Sequence, residues 1–273
     1  MDRSDPLRKV LAHQRSGIGI TRVPFPIGVR STRLVRREQV TPWMLRLTVA
    51  GDGLAGFHTY AFDDHVRVVF PMPDGVRNDP VPNDRQMLDW PRPMPPTRKY
   101  TVRRFDPETL ELDLDFVVHG GGLAATWAAE AQIGDEVVVA GPPGAKLFPH
   151  TYEHYVLAVD PTGLPAVARW LDEADWMERS GASATLLLDH DHPEETTYPL
   201  RERAGVDVRW LDRAVGSRLV QEAATLDLPQ STVVFAGGEA GDIKPLRGWA
   251  AEHGYVVLVT GYWKRGVAGL EDD

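Results

Sequence analysis

Residue patterning changes character once along this chain, near Gly141-Pro142-Pro143-Gly144, and that change constrains the fold more than any other feature. Before it, short runs of branched residues alternate with polar ones: Thr32–Val35, Leu45–Val49, His65–Phe70, Lys99–Phe105, Leu110–Val118 and Glu136–Ala140. That period of two, broken by turn residues such as Gly51, Gly53, Gly56 and Pro71, predicts strands without long helices. Six or so such strands over roughly residues 20–148 predict a small antiparallel barrel. After the break, strand patterns at 154–159, 183–188, 206–211, 231–236 and 255–260 alternate with helical ones at 164–179, 200–204, 216–225 and 242–253. Strand–helix alternation predicts a parallel sheet covered on both faces.

The boundaries are therefore an amino-terminal arm over 1–20, a barrel over 21–148 and an α/β region over 149–273. Residues 71–97, rich in Pro, Asp and Asn, read as one long loop. Trp170 and Trp176 have the spacing of packing residues on a helix.

Composition removes several classes of function. The chain has no cysteine, which excludes disulfides, thiolate metal sites, iron–sulfur clusters and a cysteine nucleophile. Redox chemistry here requires a bound organic cofactor or a metal held by N and O ligands. The net charge of −9 argues against nucleic acid. Residues 1–50 are the exception, with ten Lys+Arg against three Asp+Glu, a basic stretch that reads as a solvated arm and outer strand or as a patch for small anions. No apolar run approaches the ~18 residues of a membrane span, and the start lacks the apolar region of a signal peptide; a cytoplasmic protein is expected.

His119-Gly120-Gly121-Gly122 looks like the loop that supplies an oxyanion hole in lipases and esterases. Such enzymes also need Gly-x-Ser-x-Gly to present a nucleophile. Gly181-Ala182-Ser183-Ala184-Thr185 lacks the second glycine, and Ser217 follows Gly216 without the rest of the motif. Without that serine an oxyanion hole has nothing to stabilise. What remains is a strand, a glycine loop and the helix formers of 124–132. A helix start behind glycines offers free backbone N–H groups to an anion, or it is simply a tight turn. Upstream, Arg98-Lys99-Tyr100-Thr101-Val102-Arg103 places Tyr100 and Val102 on one strand face and Lys99, Thr101 and Arg103 on the other. Spacing alone leaves open whether these are site or ordinary strand residues. Asp189-His190-Asp191-His192 and Asp63-Asp64-His65 read as polar loop and strand-start residues, and no metal site is expected.

The string from Arg98 to Gly144, with Ala236-Gly237-Gly238-Glu239 and Gly261-Tyr262-Trp263-Lys264-Arg265-Gly266 near the carboxyl end, resembles the siderophore-interacting protein family of FAD-dependent ferric-siderophore reductases. The matching patterns are R-x-Y-T-x-R, D-F-V-x-H-G, W-A and G-D-x-x-x-x-x-G-P, in family order. The family lies in the ferredoxin-reductase superfamily. The resemblance implies an antiparallel Greek-key barrel binding FAD, followed by a three-layer α/β domain binding NAD(P)H. It implies that Tyr100 stacks on the isoalloxazine and that Thr101 bonds near its N5. Arg98 would meet the diphosphate, and His119 with the N–H groups of Gly122, Leu123, Ala124 and Ala125 would complete the cofactor contacts, flanked by Val102 and Val117. The family turn often reads G-P-A-S, whereas here it is Gly122-Leu123-Ala124-Ala125, so backbone must replace a hydroxyl. The family G-D-E-T-A-L-P-A reads here as residues 159–166, from Val159 to Ala166, with Asp160 and Thr162 retained.

The electron count explains the flavin: a nicotinamide gives a hydride, iron(III) takes one electron, and a flavin links the two. Asp160, Thr162, Gly237, Gly238 and Glu239 fall at predicted strand carboxyl ends, where open α/β sheets bind nucleotides. The chain has no G-x-G-x-x-G, so a Rossmann site of the usual kind is not expected. Lys264, Arg265 and Arg247, with Lys244, are the cations expected to meet an anionic ferric siderophore. A monomer is expected. Two alternatives stay open: a flavin reductase with another acceptor such as a quinone, free flavin or electron-transfer protein, and a non-catalytic binder of the iron chelate.

Overall fold

Val10, an apolar residue in the basic amino-terminal stretch, is buried, and it decides how that stretch is held. It lies on helix α1 (Pro6–Ser16) and packs in a small cluster with Val23, Phe25, Ala61 and Leu147. Residues 1–20 are therefore not a solvated arm throughout. The computed structural model describes residues 2–118 and 120–267.

Alternating residues next form β1 (Thr21–Pro24), β2 (Val29–Thr41), β3 (Met44–Ala50), β4 (His65–Val69), β5 (Val81–Pro82), β6 (Leu88–Asp89), β7 (Thr97–Thr101), β8 (Arg104–Asp106) and β9 (Glu111–Val117). Helix α2 (Leu123–Glu130), β10 (Glu136–Ala140) and β11 (Gly144–Leu147) follow. Seven strands make one sheet in the order β7-β4-β10-β2-β3-β9-β8. The pairings of β4 with β7, β10 with β2 and β4, and β9 with β3 and β8 are antiparallel. Leaving β7, the chain donates from Val102 N–H to the Asp64 carbonyl at 2.8 Å and from Arg103 N–H to the Asp113 carbonyl at 3.0 Å. Consecutive residues thus extend the β7–β4 pairing and the β8–β9 pairing, so the chain itself passes from one end of the sheet to the other and closes it as a barrel. Strand β10 follows β9 in sequence yet lies between β2 and β4, the crossing connection of a Greek key. Within the long loop of 71–97, β5 and β6 pair as a short ladder.

The barrel interior holds Leu34, Leu47, Val66, Leu112, Leu114 and Phe116, all essentially inaccessible. Each such side chain contributes roughly 1.5–3 kcal/mol by leaving water. Ala124 and Ala128 of α2 belong to the same cluster, with Trp127 packed against it. Small alanines let the helix approach closely, and its four alanines, Leu123 and Glu130 are strong helix formers.

The second half forms β12 (His154–Val159), α3 (Leu164–Glu173), α4 (Asp175–Ser180), β13 (Ser183–His190), β14 (Val206–Asp212), α5 (Leu219–Ala223), β15 (Thr232–Glu239), α6 (Ala240–Glu252) and β16 (Val256–Trp263). The five strands are parallel, in the order β14-β13-β12-β15-β16. Strand β12 is buried along its length, as its unbroken apolar run requires. Tyr155 points to one face, with Trp170 of α3 and Trp176 of α4 at 6.1 and 5.0 Å between ring centroids. Its neighbour Val156 points to the other, in a cluster with Leu219, Ile243, Leu246 and Trp249 of α5 and α6. Two helical layers thus sandwich the sheet.

Several expected elements change. The helix expected over 164–179 divides at Ala174. That expected over 216–225 contracts to α5. Residues 200–204 are not helical. There Arg203 bonds the Leu171 and Asp172 carbonyls at 2.7 and 3.1 Å and pairs with Asp175, tertiary ties that override local helix preference. The chain divides into two compact units, one built on the barrel and ending at Leu147, the other built on the parallel sheet from Phe148 onward and including the earlier segments Ala12–Thr21 and Thr41–Trp43.

Candidate functional site

In the barrel, register fixes which side chains can meet a ligand. Strand β7 sets Arg98 opposite Val68 and Tyr100 opposite Val66. Directly opposed residues share a sheet face, and both valines are core; Arg98 and Tyr100 therefore lie on the inner face, and Lys99 and Thr101 on the other. Tyr100 is half-buried, its ring 4.0 Å from Phe116 and tilted 34°. Phe116 in turn lies 5.8 Å from Trp127 of α2. One aromatic ring thus connects the Arg98–Tyr100 strand to the helix behind the glycine loop. Burial pushes the Tyr100 phenol above its ordinary pKa, with the Arg98 charge acting the other way, so the hydroxyl stays protonated at neutral pH. Arg98 is half-buried and donates through Nη1 to the Thr97 carbonyl at 2.7 Å, which uses one of its five donors. Val102 is fully buried with its N–H bonded to Asp64, so its side chain belongs to the core. Val117 ends β9, half-buried.

Gly121 and Gly122 have φ of +89° and +99°, which residues with a Cβ rarely adopt. Helix α2 starts at once, and Gly122 at its N-cap has no side chain to cap it. The N–H groups of Leu123, Ala124 and Ala125 have no partner within a helix. Ala124 and Ala125 turn their methyls inward, and a Cβ at Gly120 or Gly121 would meet open space. A helix mouth of this geometry suits a polyanion, which the helix dipole favours by about 0.3–2 kcal/mol. Together with the Arg98 guanidinium and the Tyr100 face, the donor set fits the diphosphate and ring system of FAD. His119 lies outside the described residues.

In the second unit the strand order reverses between β12 and β15, which marks the crevice where open α/β sheets bind ligands. Asp160 follows β12, Gly237, Gly238 and Glu239 close β15, and Thr162 opens the turn to α3. Sequence and structure bring these five together. Asp160 is buried, and its carboxylate bonds within the protein: Oδ1 accepts from the Thr162 N–H at 2.9 Å and hydroxyl at 2.5 Å, and Oδ2 accepts from Glu239 N–H and Trp263 Nε1, each at 2.8 Å. Burial raises its pKa, opposed by those bonds and the Arg213 charge at 3.7 Å. Gly238 has φ of +148°, and a Cβ there would come within 2.6 Å of the Asp160 carboxylate carbon. Only glycine admits the close approach. Glu239 caps α6 by accepting from Asp242 N–H at 2.8 Å and accepts from Arg265 N–H at 3.0 Å. Burial acts to raise the Glu239 pKa, but the backbone N–H groups of Arg265, Asp242 and Gly241 outweigh it and the net shift is downward.

Lys264 and Arg265 are exposed in the turn after β16; Arg265 also pairs with Asp242 at 3.1 Å. Lys244 and Arg247 lie on the exposed side of α6, opposite its buried Ile243 and Leu246. Sequence reasoning gave no role to Trp263, Arg213 or Asp242. The Gly-Tyr-Trp motif marked Trp263, but its partner Asp160 is far away in sequence; Arg213 and Asp242 carried no motif.

The discarded readings gain detail. Ser183 does meet a histidine, with its Oγ 2.7 Å from His154 Nδ1, but the other ring nitrogen faces the Thr185 hydroxyl at 3.1 Å and not a carboxylate. No Ser-His-Asp arrangement results. Within the Asp189–His192 run, Asp191 pairs with Arg213 at 3.3 Å. Among the described residues no group of three or more His, Asp or Glu is placed to hold a metal ion, and no helix is long and apolar enough to cross a membrane.

Residues 33–146 match the siderophore-interacting FAD-binding domain, and residues 152–266 match the siderophore-interacting protein domain. The NADPH-dependent ferric-chelate reductase of Escherichia coli (strain K12) is 32% identical over 73% of this chain and 79% of its own. The ferric vibriobactin reductase ViuB of Vibrio cholerae is 29% identical over 85% of this chain and 88% of its own. The crystal structure of a siderophore utilization protein from T. fusca superposes with a TM-score of 0.83 at 35% identity, covering 92% of this chain and 98% of that one.

Proposed function

The chain belongs to the siderophore-interacting protein family, and from that premise we propose that it is a ferric-siderophore reductase, drawing electrons from NAD(P)H through FAD to iron(III) and releasing iron(II). The observation that carries the reading is the pairing, in one barrel, of an uncapped helix mouth behind positive-φ glycines with an Arg98–Tyr100 strand face. That pairing answers the two halves of one cofactor, an anionic diphosphate and a flat aromatic ring.

FAD, when bound, supplies the chemistry that accepts a hydride and passes its electrons on singly, so one NAD(P)H serves two ferric centres and releases one proton. The residues do the rest. Arg98 and the N–H groups of 122–125 neutralise the diphosphate, with His119 and the backbone beside Val117 completing the contact; Val102, committed to the core, takes no part. Tyr100, braced from behind by Phe116, offers its face to the ring, and the neutral phenol adds no charge there. Thr101 ends β7 on the face opposite Tyr100, so its hydroxyl is assigned to the hydride-accepting position at the ring edge and not to the stacking face. In the second unit, the backbone at the strand ends, at Thr162, Gly237 and Gly238, receives the nicotinamide dinucleotide. Lys264 and Arg265, with Arg247, draw in the anionic chelate. Iron leaves because iron(II) is held less tightly by hard oxygen ligands than iron(III). The protein needs no iron ligand of its own. The same reading takes the chain as a monomer working in the cytoplasm, where NAD(P)H is available.

Anaerobic turnover of the FAD-loaded protein with NAD(P)H and a panel of ferric chelates, with iron(II) trapped by a chromogenic chelator, tests this. Iron(II) release that outpaces turnover on quinones, free flavin or electron-transfer proteins supports it. Turnover confined to those acceptors assigns another reductase activity on the same fold.

A further inference from the structure

The carboxylates of Asp160 and Glu239 sit where a nicotinamide contact is expected, yet their oxygens are engaged elsewhere. Asp160 Oδ2 holds the Trp263 indole N–H at 2.8 Å, and Glu239 Oε1 holds the Arg265 backbone N–H at 3.0 Å. The remaining oxygens accept from Thr162 and Asp242 backbone groups. Asp160 also accepts the Glu239 N–H at 2.8 Å, so the two acids are themselves tied. Asp242 then fixes the Arg265 side chain at 3.1 Å while accepting from the buried Arg213, also at 3.1 Å. Lys264 stands exposed between two anchored neighbours, and its carbonyl accepts from Val267 N–H at 3.0 Å.

We infer that Asp160 and Glu239 are positioning residues for the cationic turn Trp263–Arg265 and act on the ferric chelate more than on the nicotinamide dinucleotide. The inference rests on the proposed reading of Lys264 and Arg265 as the substrate side. Asp160 already accepts four protein donors, about all that a carboxylate's lone pairs provide, and Glu239 is buried with each of its oxygens already holding a backbone N–H, so neither is well placed to take a ribose or amide group. The lysine and arginine, by contrast, keep their spacing only while both anchors hold. A flexible pair of cations still attracts an anion, but ordering it on binding costs affinity. The nicotinamide side keeps the backbone of Gly237, Gly238 and Thr162.

The test uses the FAD-loaded protein and two mild variants, Trp263→Phe and Glu239→Gln, with Asp160→Asn as the harsher third. Three quantities are measured: the KM for an anionic and for a neutral ferric chelate, the NAD(P)H dependence of flavin bleaching without chelate, and amide hydrogen exchange at 263–266. Both mild variants are expected to raise the KM for the anionic chelate about tenfold, the worth of one charge-assisted hydrogen bond. The neutral chelate and the NAD(P)H dependence are expected to stay within about twofold, and exchange at the Arg265 amide to accelerate. A weakened NAD(P)H dependence with an unchanged chelate KM overturns the inference, as does unchanged exchange at Arg265. Lys264→Glu separates the two levels. If it raises the anionic-chelate KM and the anchor variants do not, the inference alone fails; if it too changes nothing, the reading of the turn as the substrate side fails.

Discussion

The Tyr100 ring lies 4.0 Å from that of Phe116, inclined by 34°, so the tyrosine is supported from within the barrel. A supported aromatic face binds a flat ring without first having to be ordered. Tyr100→Ala is expected to weaken FAD binding roughly two- to twelvefold, from the 0.5–1.5 kcal/mol of an aromatic pair. Arg98→Ala removes a charge-assisted contact and is expected to cost about ten- to a hundredfold. Fluorescence titration of the apoprotein with FAD reads both. Affinity unchanged in the pair of variants removes this strand from the cofactor site.

Leu123 opens α2 and is exposed. A carboxylate there suits the helix dipole by about 0.3–1 kcal/mol but opposes a bound diphosphate. Leu123→Asp is therefore expected to leave the apoprotein Tm unchanged or slightly raised while weakening FAD about tenfold, and less so at high salt. Loss of Tm and affinity together would indicate damage to the helix, not a charge effect at its mouth.

The legibility of these features depended on how local they are. Period two placed Tyr100 and Val102 on one face; β7 ends at Thr101, and Val102 just beyond it is buried in the core against which Tyr100 packs. The unbroken apolar run of β12 announced a buried strand. The glycines before α2 marked a backbone that carries function through N–H groups. What sequence could not show was the inward role of Asp160: its partners Glu239 and Trp263 reach it only because β15 and β16 follow β12 across the sheet. The same applies to 200–204, where Arg203 answers to carbonyls at the end of α3 instead of to its neighbours. Val10 alone gave no sign that α1 packs.

Two glycines should respond differently to a methyl group. At Gly238 it would meet the Asp160 carboxylate at 2.6 Å in a backbone with φ of +148°; at Gly121, with φ of +89°, it meets open space. Gly238→Ala is expected to cost about 3 kcal/mol or more, strain and collision together, and Gly121→Ala about 1 kcal/mol. Denaturant unfolding of the two variants checks the order, and equal losses would contradict this account of Gly238.

His150 stacks on Trp176 with centroids 4.1 Å apart and planes 5° from parallel. Burial, helped by the Arg179 charge, lowers its pKa from 6.5 to about 4. The unfolded chain therefore binds the proton first as pH falls. The stability that the neutral ring contributes is fully present above about pH 6.5 and is lost progressively toward about pH 4, with a slope no steeper than about 1.4 kcal/mol per pH unit. His150→Phe keeps an aromatic stack without the titration. Unfolding measured across that range should show wild type losing stability relative to this variant, and parallel curves would refute the assignment.

The account depends most on the barrel taking up FAD at Arg98, Tyr100 and the α2 mouth. Its most direct test is the crystal structure of the FAD-loaded protein. The account predicts the ring against Tyr100 and the diphosphate among Arg98 and the N–H groups of residues 122–125. FAD seated elsewhere, or an apoprotein that takes up no FAD at all, would contradict it.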